Sequence, residues 1–281
     1  MLMLLTTLCE YEVSRGLGPV VQPAERMLPT EMHNLYRYLW GKDSSLRDRI
    51  YSPHVRDDGG ISHLCMLPLF LDEGSGEDGD DAAMSESAVL NLPCGLHQLL
   101  VRDSYKGALR MMEDFEASRT PDSIYVRKRN HDETTYTVSR PIPGSRRKVD
   151  KAFIFSGHPG IGKTCFLSYV LVERLLKAQP TVLQIGADGG EYSCILFDKL
   201  GVRPILPDND DSLRDTAIWA LVDQTPRGLA ASFDRHNWLV VITSSPRREN
   251  YKRVEKHYAA PVYYMPEWTW EEIAAASSVP F

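Results

Sequence analysis

Cysteine is sparse in this 281-residue chain, and what there is carries no metal or redox signature. Cys9, Cys65, Cys94, Cys165 and Cys194 are odd in number, scattered, and include no CxxC pair. That excludes the usual zinc and thioredoxin-type motifs and favours a reducing, intracellular setting. His63 and Cys65 stand close together but lack a second ligand pair, and there is no HExxH, so a zinc site is not expected. Positive charge is not in excess either. With 32 Lys and Arg against 38 Asp and Glu, the net charge is -6, and no overall basic field draws the chain to nucleic acid or an anionic membrane. Long apolar runs are missing too. The opening MLMLLTTLCEYEV is apolar only briefly and has no basic lead-in, so it reads as a buried strand or helix. A secretory signal has a different layout, and a membrane helix needs roughly 20 apolar residues. The expected setting is cytoplasmic or nuclear, with no membrane partner. There is no internal repeat, and no NKxD segment of the kind a GTP reader carries.

What is present is ordinary for a globular protein: 43% hydrophobic and 25% charged residues, enough to bury a core. The stretch DEGSGEDGDDAAMSES over 72–87 is small and acidic with little to bury, which predicts a disordered linker over 72–90. It divides an N-terminal region, 1–71, from a larger domain, 91–281. In the first region EMHNLYRYLW predicts a helix, and HLCMLPLFL an apolar strand or buried segment interrupted by Pro68. After the linker, GLHQLLVRDSYKGALRMMEDF carries Leu96, Leu99, Leu100, Leu109 and Met112 at helical spacing, followed by two β-rich runs, SIYVRKR and TTYTVSR, that predict a hairpin.

From Lys151 the pattern changes to apolar strands alternating with helical stretches, the signature of a parallel sheet with helices on its faces. The strands are AFIFSG, TVLQIG, TAIWALVD, WLVVITSS and PVYYMP. Tyr192–Asp198 makes a further strand, but only ADGGE separates it from TVLQIG. A parallel crossover needs a dozen or more residues, so this pair is predicted to be an antiparallel hairpin. The fold class is α/β: a three-layer P-loop sandwich with a mainly parallel, five-stranded sheet over 151–281, joined to a mixed, partly disordered N-terminal region.

Between the first strand and its helix, Gly157, His158, Pro159, Gly160, Ile161, Gly162, Lys163 and Thr164 fit GxxxxGK[ST]. Glycines let the backbone approach phosphate and turn successive N–H groups inward. Lys163 supplies a cation to the β- and γ-phosphates, the Thr164 hydroxyl is placed to ligate Mg²⁺, and the helix running on through Cys165 adds its positive dipole end. The helix, CFLSYVLVERLL, sets Phe166, Val170 and Leu171 toward the sheet.

A magnesium nucleotide also needs a carboxylate at a neighbouring strand end to hold the metal's water shell. CILFD ends at Asp198 and AIWALVD at Asp223. Asp223 is preferred, because only its strand has room for a crossover helix. The next residue is Gln224, where many hydrolytic members of this fold have a glutamate, and glutamine is a poor general base. Asp188 and Glu191 are substitutes, though both suit ordinary turns. WLVVITSSPRRENYK ends a strand in Thr243, Ser244 and Ser245, and Ser244 or Ser245 is the candidate to sense the γ-phosphate or the attacking water. Arg247 or Arg248 could neutralise transition-state charge or simply start a solvated helix. ATP is the default nucleotide.

Three segments, AFIFSGHPGIGKTCFLSYVLVERLL, VVITSSPRRENYK and YYMPEWTWEEI, resemble the P-loop NTPase domain of fungal Crinkler proteins and the related retrotransposon hot-spot family, and LVRDSYKGAL is similar to a segment preceding that family's loop. The resemblance covers roughly residues 98–275. It implies an AAA-like or STAND-like core, joined in some members to a ubiquitin-like header and a nuclease-like domain, and nucleic acid as a partner on that ground alone. The chain stops after a helix that Thr269 and Glu272 would cap, so the helical lid of such domains is expected to be missing and the chain to be a truncated member.

The leading expectation is an ATP-binding domain hydrolysing ATP with Mg²⁺, the hydrolysis driving a conformational change in an effector or genome-conflict protein with an unknown protein partner. Lys163, Asp223 and Ser245 act in the chemistry, and Thr164 and Asp223 hold the metal. A nucleotide-dependent switch or scaffold without hydrolysis is the second reading, favoured by Gln224. A small-molecule kinase is the third.

Overall fold

The computed structural model describes residues 30–42, 44–55, 61–66, 69–70, 89–118, 152–186, 192–206, 218–223, 233, 236, 238–258 and 260–278. Residues 72–88 of the acidic linker, the SIYVRKR and TTYTVSR runs, Asp188, Glu191 and Gln224 lie outside them, whereas Val89 and Leu90, expected to end that linker, form a short strand in which Leu90 is buried.

In chain order the elements are α1 (Thr30–Leu39), α2 (Ser44–Ile50), β1 (Tyr51–Val55), β2 (Ile61–Met66), β3 (Leu69–Phe70), β4 (Val89–Leu90), β5 (Leu99–Val101), α3 (Asp103–Ser118), β6 (Ala152–Ser156), α4 (Lys163–Leu176), β7 (Thr181–Gly186), β8 (Tyr192–Asp198), β9 (Gly201–Ile205), β10 (Trp219–Asp223), β11 (Leu239–Ser244), α5 (Arg248–Tyr258), β12 (Val262–Tyr264) and α6 (Trp270–Ser278).

The main sheet has the order β12-β6-β11-β10-β7-β8-β9. From β12 to β7 all neighbours run parallel, and β8 and β9 are added antiparallel. The fold class is therefore α/β with a mixed, mostly parallel sheet. The five expected strands are all present, and the β7–β8 hairpin is antiparallel as its short connection required. The strand count is corrected from five to seven among the described residues. β9, GVRPI, carries Gly201 and Pro204, a composition that argues against an interior strand. At the outer edge Pro204 is tolerated, since one side of an edge strand needs no donor.

A second correction concerns the stretch before the loop. Leu99–Val101 is not helical but a strand, buried at all three residues and paired antiparallel with β2. A run of three apolar residues in sequence covers both faces of a strand, and the helix begins only at Asp103, an acidic residue suited to a helix N-terminus.

Alternation along the strands builds two cores. Phe153 and Phe155, with Leu183, Leu221 and Val241, face α4. Ala152 and Ile154, with Val182, Val222 and Ile242, face α5 through Tyr251, Val254 and Tyr258. α4 is buried at every residue from Phe166 to Leu176, as a helix covered on all sides must be. One side meets the sheet, and the other meets α1 and α3, whose Leu35, Leu39, Tyr105 and Met112 join the same core. Among the described residues no helix is long and apolar enough to cross a membrane.

Leu171, fully buried on α4, gives a direct test of this packing. Leu171→Ala should lower stability by about 2–5 kcal/mol in denaturant unfolding, whereas a loss under about 1 kcal/mol would contradict the burial of α4.

Candidate phosphate-binding site

The five parallel strands all end on one side, and the glycine loop lies there, between β6 and α4. His158, Pro159 and Gly160 are exposed, while Ile161 turns inward and is buried. Gly160 and Gly162 have φ of 78° and 91°, in the left-handed region that glycine enters without a Cβ penalty. Gly162 is the N-cap of α4 and supplies no side-chain cap, which leaves the first-turn N–H groups of Lys163, Thr164 and Cys165 to a ligand or solvent.

Lys163 Nζ donates to the carbonyls of Gly157 at 2.8 Å and His158 at 2.9 Å, so the ammonium is folded over the loop it belongs to. Burial lowers its pKa, opposed by the charge of Asp223. The Thr164 hydroxyl donates to Asp223 Oδ2 at 2.6 Å, and Thr243 Oγ1 donates to Asp223 Oδ1 at 2.7 Å. Asp223 and Thr243 are register partners on β10 and β11, so their side chains leave the sheet on the same face. A hydroxyl beside a carboxylate at the mouth of an N–H-rich loop is a donor set for hexacoordinate Mg²⁺ carried by phosphate, which keeps waters and needs few protein ligands. Among the described residues no group of three or more His, Cys, Asp or Glu forms a metal cluster.

The other candidates are placed less centrally. Asp198 ends an antiparallel strand, with Phe197 opposite Thr181, which puts it at the far end of the sheet from the loop. There its carboxylate takes Arg203 at 2.7 and 2.9 Å and the Leu200 N–H. The Ser245 carbonyl accepts from Ser156 Oγ at 3.3 Å, and its hydroxyl is engaged by Asn250 Nδ2. Ser244 Oγ is buried on the opposite face from Asp223, without a partner. Arg247 is exposed, and Arg248 pairs with Glu255 on its own helix. The strand-end hydroxyl that meets Asp223 is thus Thr243. Period-two alternation from Asp223 across a parallel neighbour was the signal that could have found it.

The chain is similar to Crinkler effector proteins. Crinkler effector proteins 15 and 16 of Phytophthora infestans are each 31% identical to it over 155 residues, or 54% of this chain and 24% of theirs. The chain thus spans about a quarter of the length of these relatives. The Crinkler half of the resemblance is supported. Its fungal half is corrected, because both relatives come from Phytophthora. No family model and no solved structure matches.

The underside of the loop is held by Arg102 and Tyr105, which composition and motif did not single out, together with Glu272 of the cap expected from sequence. Arg102, 1% exposed, donates to the carbonyls of Ile161 at 3.1 Å, Pro266 at 3.0 Å and Glu267 at 2.9 Å. It also pairs with Glu272 at 2.9 Å and lies 4.7 Å from the Trp268 ring centroid. Glu272 in turn closes a reciprocal cap with Thr269, the Thr269 N–H donating to its carboxylate and the Glu272 N–H to Thr269 Oγ1. Tyr105 donates to the Gly162 carbonyl at 2.7 Å, and burial raises its pKa. Beside α4, the Cys94 thiol is pushed down to about 6 by its hydrogen bond from Cys165, against the effect of burial, and Cys165 is raised by the same bond.

A Cβ on Gly162 would sit 2.1 Å from the Tyr105 hydroxyl, so Gly162→Ala combines backbone strain with a clash and should cost about 1–3 kcal/mol. Tyr105→Phe should be less costly in that background than alone, by at least about 0.5 kcal/mol in a denaturant double-mutant cycle. Additive losses would contradict the contact.

Proposed function

We propose that this chain binds a magnesium nucleoside triphosphate, ATP by default, at residues 157–165, within a P-loop NTPase fold. The observation that carries the reading is the 2.6 Å bond between Thr164 and Asp223, residues brought together from α4 and β10. A loop motif alone occurs by chance; a loop whose terminal hydroxyl meets a strand-end carboxylate, one strand removed from β6, meets the chemical demands of a phosphate-bound metal. The similarity to Crinkler effectors supports placing this domain in an effector-type protein.

In this reading the first-turn N–H groups of α4 and Lys163 bind the β- and γ-phosphates, with Nζ leaving the Gly157 and His158 carbonyls for the stronger, charged acceptors. Thr164 and Asp223 hold Mg²⁺, which supplies charge neutralisation on the phosphate oxygens. Thr243 fixes the Asp223 carboxylate, leaving one oxygen toward Thr164. Hydrolysis proceeds by in-line attack of water on the γ-phosphorus, with Ser245 at the strand end beside the site as the candidate water partner.

Gln224 favours a second reading, a nucleotide-dependent switch without turnover. An amide next to Asp223 can orient a water but does not take its proton at neutral pH.

Affinity for ATP with Mg²⁺ and release of phosphate, measured on wild type, Lys163→Ala and Asp223→Ala, separate these readings. Lys163→Ala should weaken binding roughly ten- to hundredfold, the loss of a charged hydrogen bond, and Asp223→Ala should abolish the benefit of Mg²⁺. Binding without phosphate release identifies the switch, and phosphate appearing on an added metabolite identifies a kinase. Equal binding by wild type and Lys163→Ala sinks the nucleotide site.

A further inference from the structure

One pair of nucleophilic side chains touches the candidate site and plays no part in the chemistry above. Cys165 follows Thr164 in the first turn of α4. Cys94 sits in the turn between β4 and β5, which is closed by Leu92 N–H on the Leu96 carbonyl at 2.7 Å and Gly95 N–H on the Leu92 carbonyl at 2.8 Å. That turn is fastened to the same helical turn. The Cys94 N–H donates to Ser168 Oγ at 3.2 Å, and Ser168 Oγ donates to the Thr164 carbonyl at 3.3 Å. Cys94 is thereby held against the turn of α4 that carries Cys165, and neither thiol is fully buried.

Both thiols therefore sit at the same turn of α4, partly open to solvent, and fixed on two segments that share a backbone-to-side-chain link. A scattered, odd set of cysteines gave no hint of this from sequence, because the partners are separated by the whole of α3 and β6.

We propose that Cys94 and Cys165 are a thiol–disulfide pair that regulates the nucleotide loop, with a hydroperoxide such as hydrogen peroxide as the oxidant. One thiol is oxidised by the peroxide to a sulfenic acid, releasing one water as the O–O bond breaks. The other sulfur then attacks it, forms the S–S bond and releases the second water. Two thiols and one peroxide give one disulfide and two waters, the two electrons passing from sulfur to oxygen.

A disulfide holds its sulfurs about 2.0 Å apart, closer than any hydrogen-bonded contact, so closing it draws the first turn of α4 toward the Pro93–Gly95 turn. Thr164 is the adjacent residue, and its hydroxyl moves with that turn. The regulatory half of the proposal rests on the nucleotide reading, whereas formation of the bond does not.

The full chain is treated with hydrogen peroxide, mapped by mass spectrometry without reduction, and titrated with ATP and Mg²⁺ before and after. The expected result is a Cys94–Cys165 linked peptide two hydrogens lighter than the pair of thiol peptides. Affinity should fall about tenfold or more, in keeping with the sensitivity of such sites to displacements of order 1 Å, and dithiothreitol should restore it. Cys94→Ser, remote from the phosphates, should bind as the reduced wild type does and keep that affinity through peroxide. Absence of the linked peptide in a chain that binds ATP overturns the thiol pair and leaves the nucleotide site standing. A linked chain with unchanged affinity overturns the regulation. A linked peptide in a chain whose reduced form binds no ATP overturns the nucleotide reading and the regulation with it.

Discussion

The Asp223 carboxylate is the point on which the site depends. Its two oxygens accept hydrogen bonds from the hydroxyls of Thr164 on α4 and Thr243 on β11, so one side chain ties the helix, its own strand and the strand between it and the loop. The tie is possible only because β10 and β11 are parallel and in register at Asp223 and Thr243, which aims both side chains at the same face. Near-continuous apolar strands with helices on both faces deliver that register. Buried Leu221 and Val222 leave a polar residue only at the strand's end, so the carboxylate emerges where the loop begins.

A second constraint acts from below. The loop is exposed above at His158, Pro159 and Gly160 and is fixed underneath, through carbonyls that Arg102 and Tyr105 bind. Arg102 reaches carbonyls of Pro266 and Glu267 and the carboxylate of Glu272 as well, joining loop and α6 in one buried network. Taking a guanidinium and a carboxylate out of water is costly. Three carbonyls, an opposite charge and an aromatic face offset that cost here, and the network specifies one arrangement of the chain beneath the glycine loop.

Much of the main sheet was legible because its signals are local. The apolar runs from Ala152, Thr181, Trp219, Leu239 and Val262 are long enough, and their connections short or long enough, to fix which strands run parallel. The glycine loop is legible because its chemistry fixes residue types at fixed spacing. What escaped is set by distant partners. β9 looks like a turn because Gly201 and Pro204 disfavour an interior strand. Leu99 and Leu100 match a helix until β2 supplies a pairing edge. Arg102 is one arginine among many until the fold surrounds it with carbonyls. Thr243 escaped notice as the partner of Asp223 because the register of β10 against β11 decides which strand-end hydroxyl shares the carboxylate's face.

The most direct measurement is a crystal structure of the chain with Mg²⁺ and a non-hydrolysable ATP analogue. The account predicts β- and γ-phosphates against the N–H groups of residues 160–165, Lys163 Nζ moved from the Gly157 and His158 carbonyls to phosphate oxygens, and Thr164 Oγ1 in the metal's coordination shell with Asp223 beside it. Phosphates bound elsewhere, or a lysine still folded over its own loop with the nucleotide present, would contradict it.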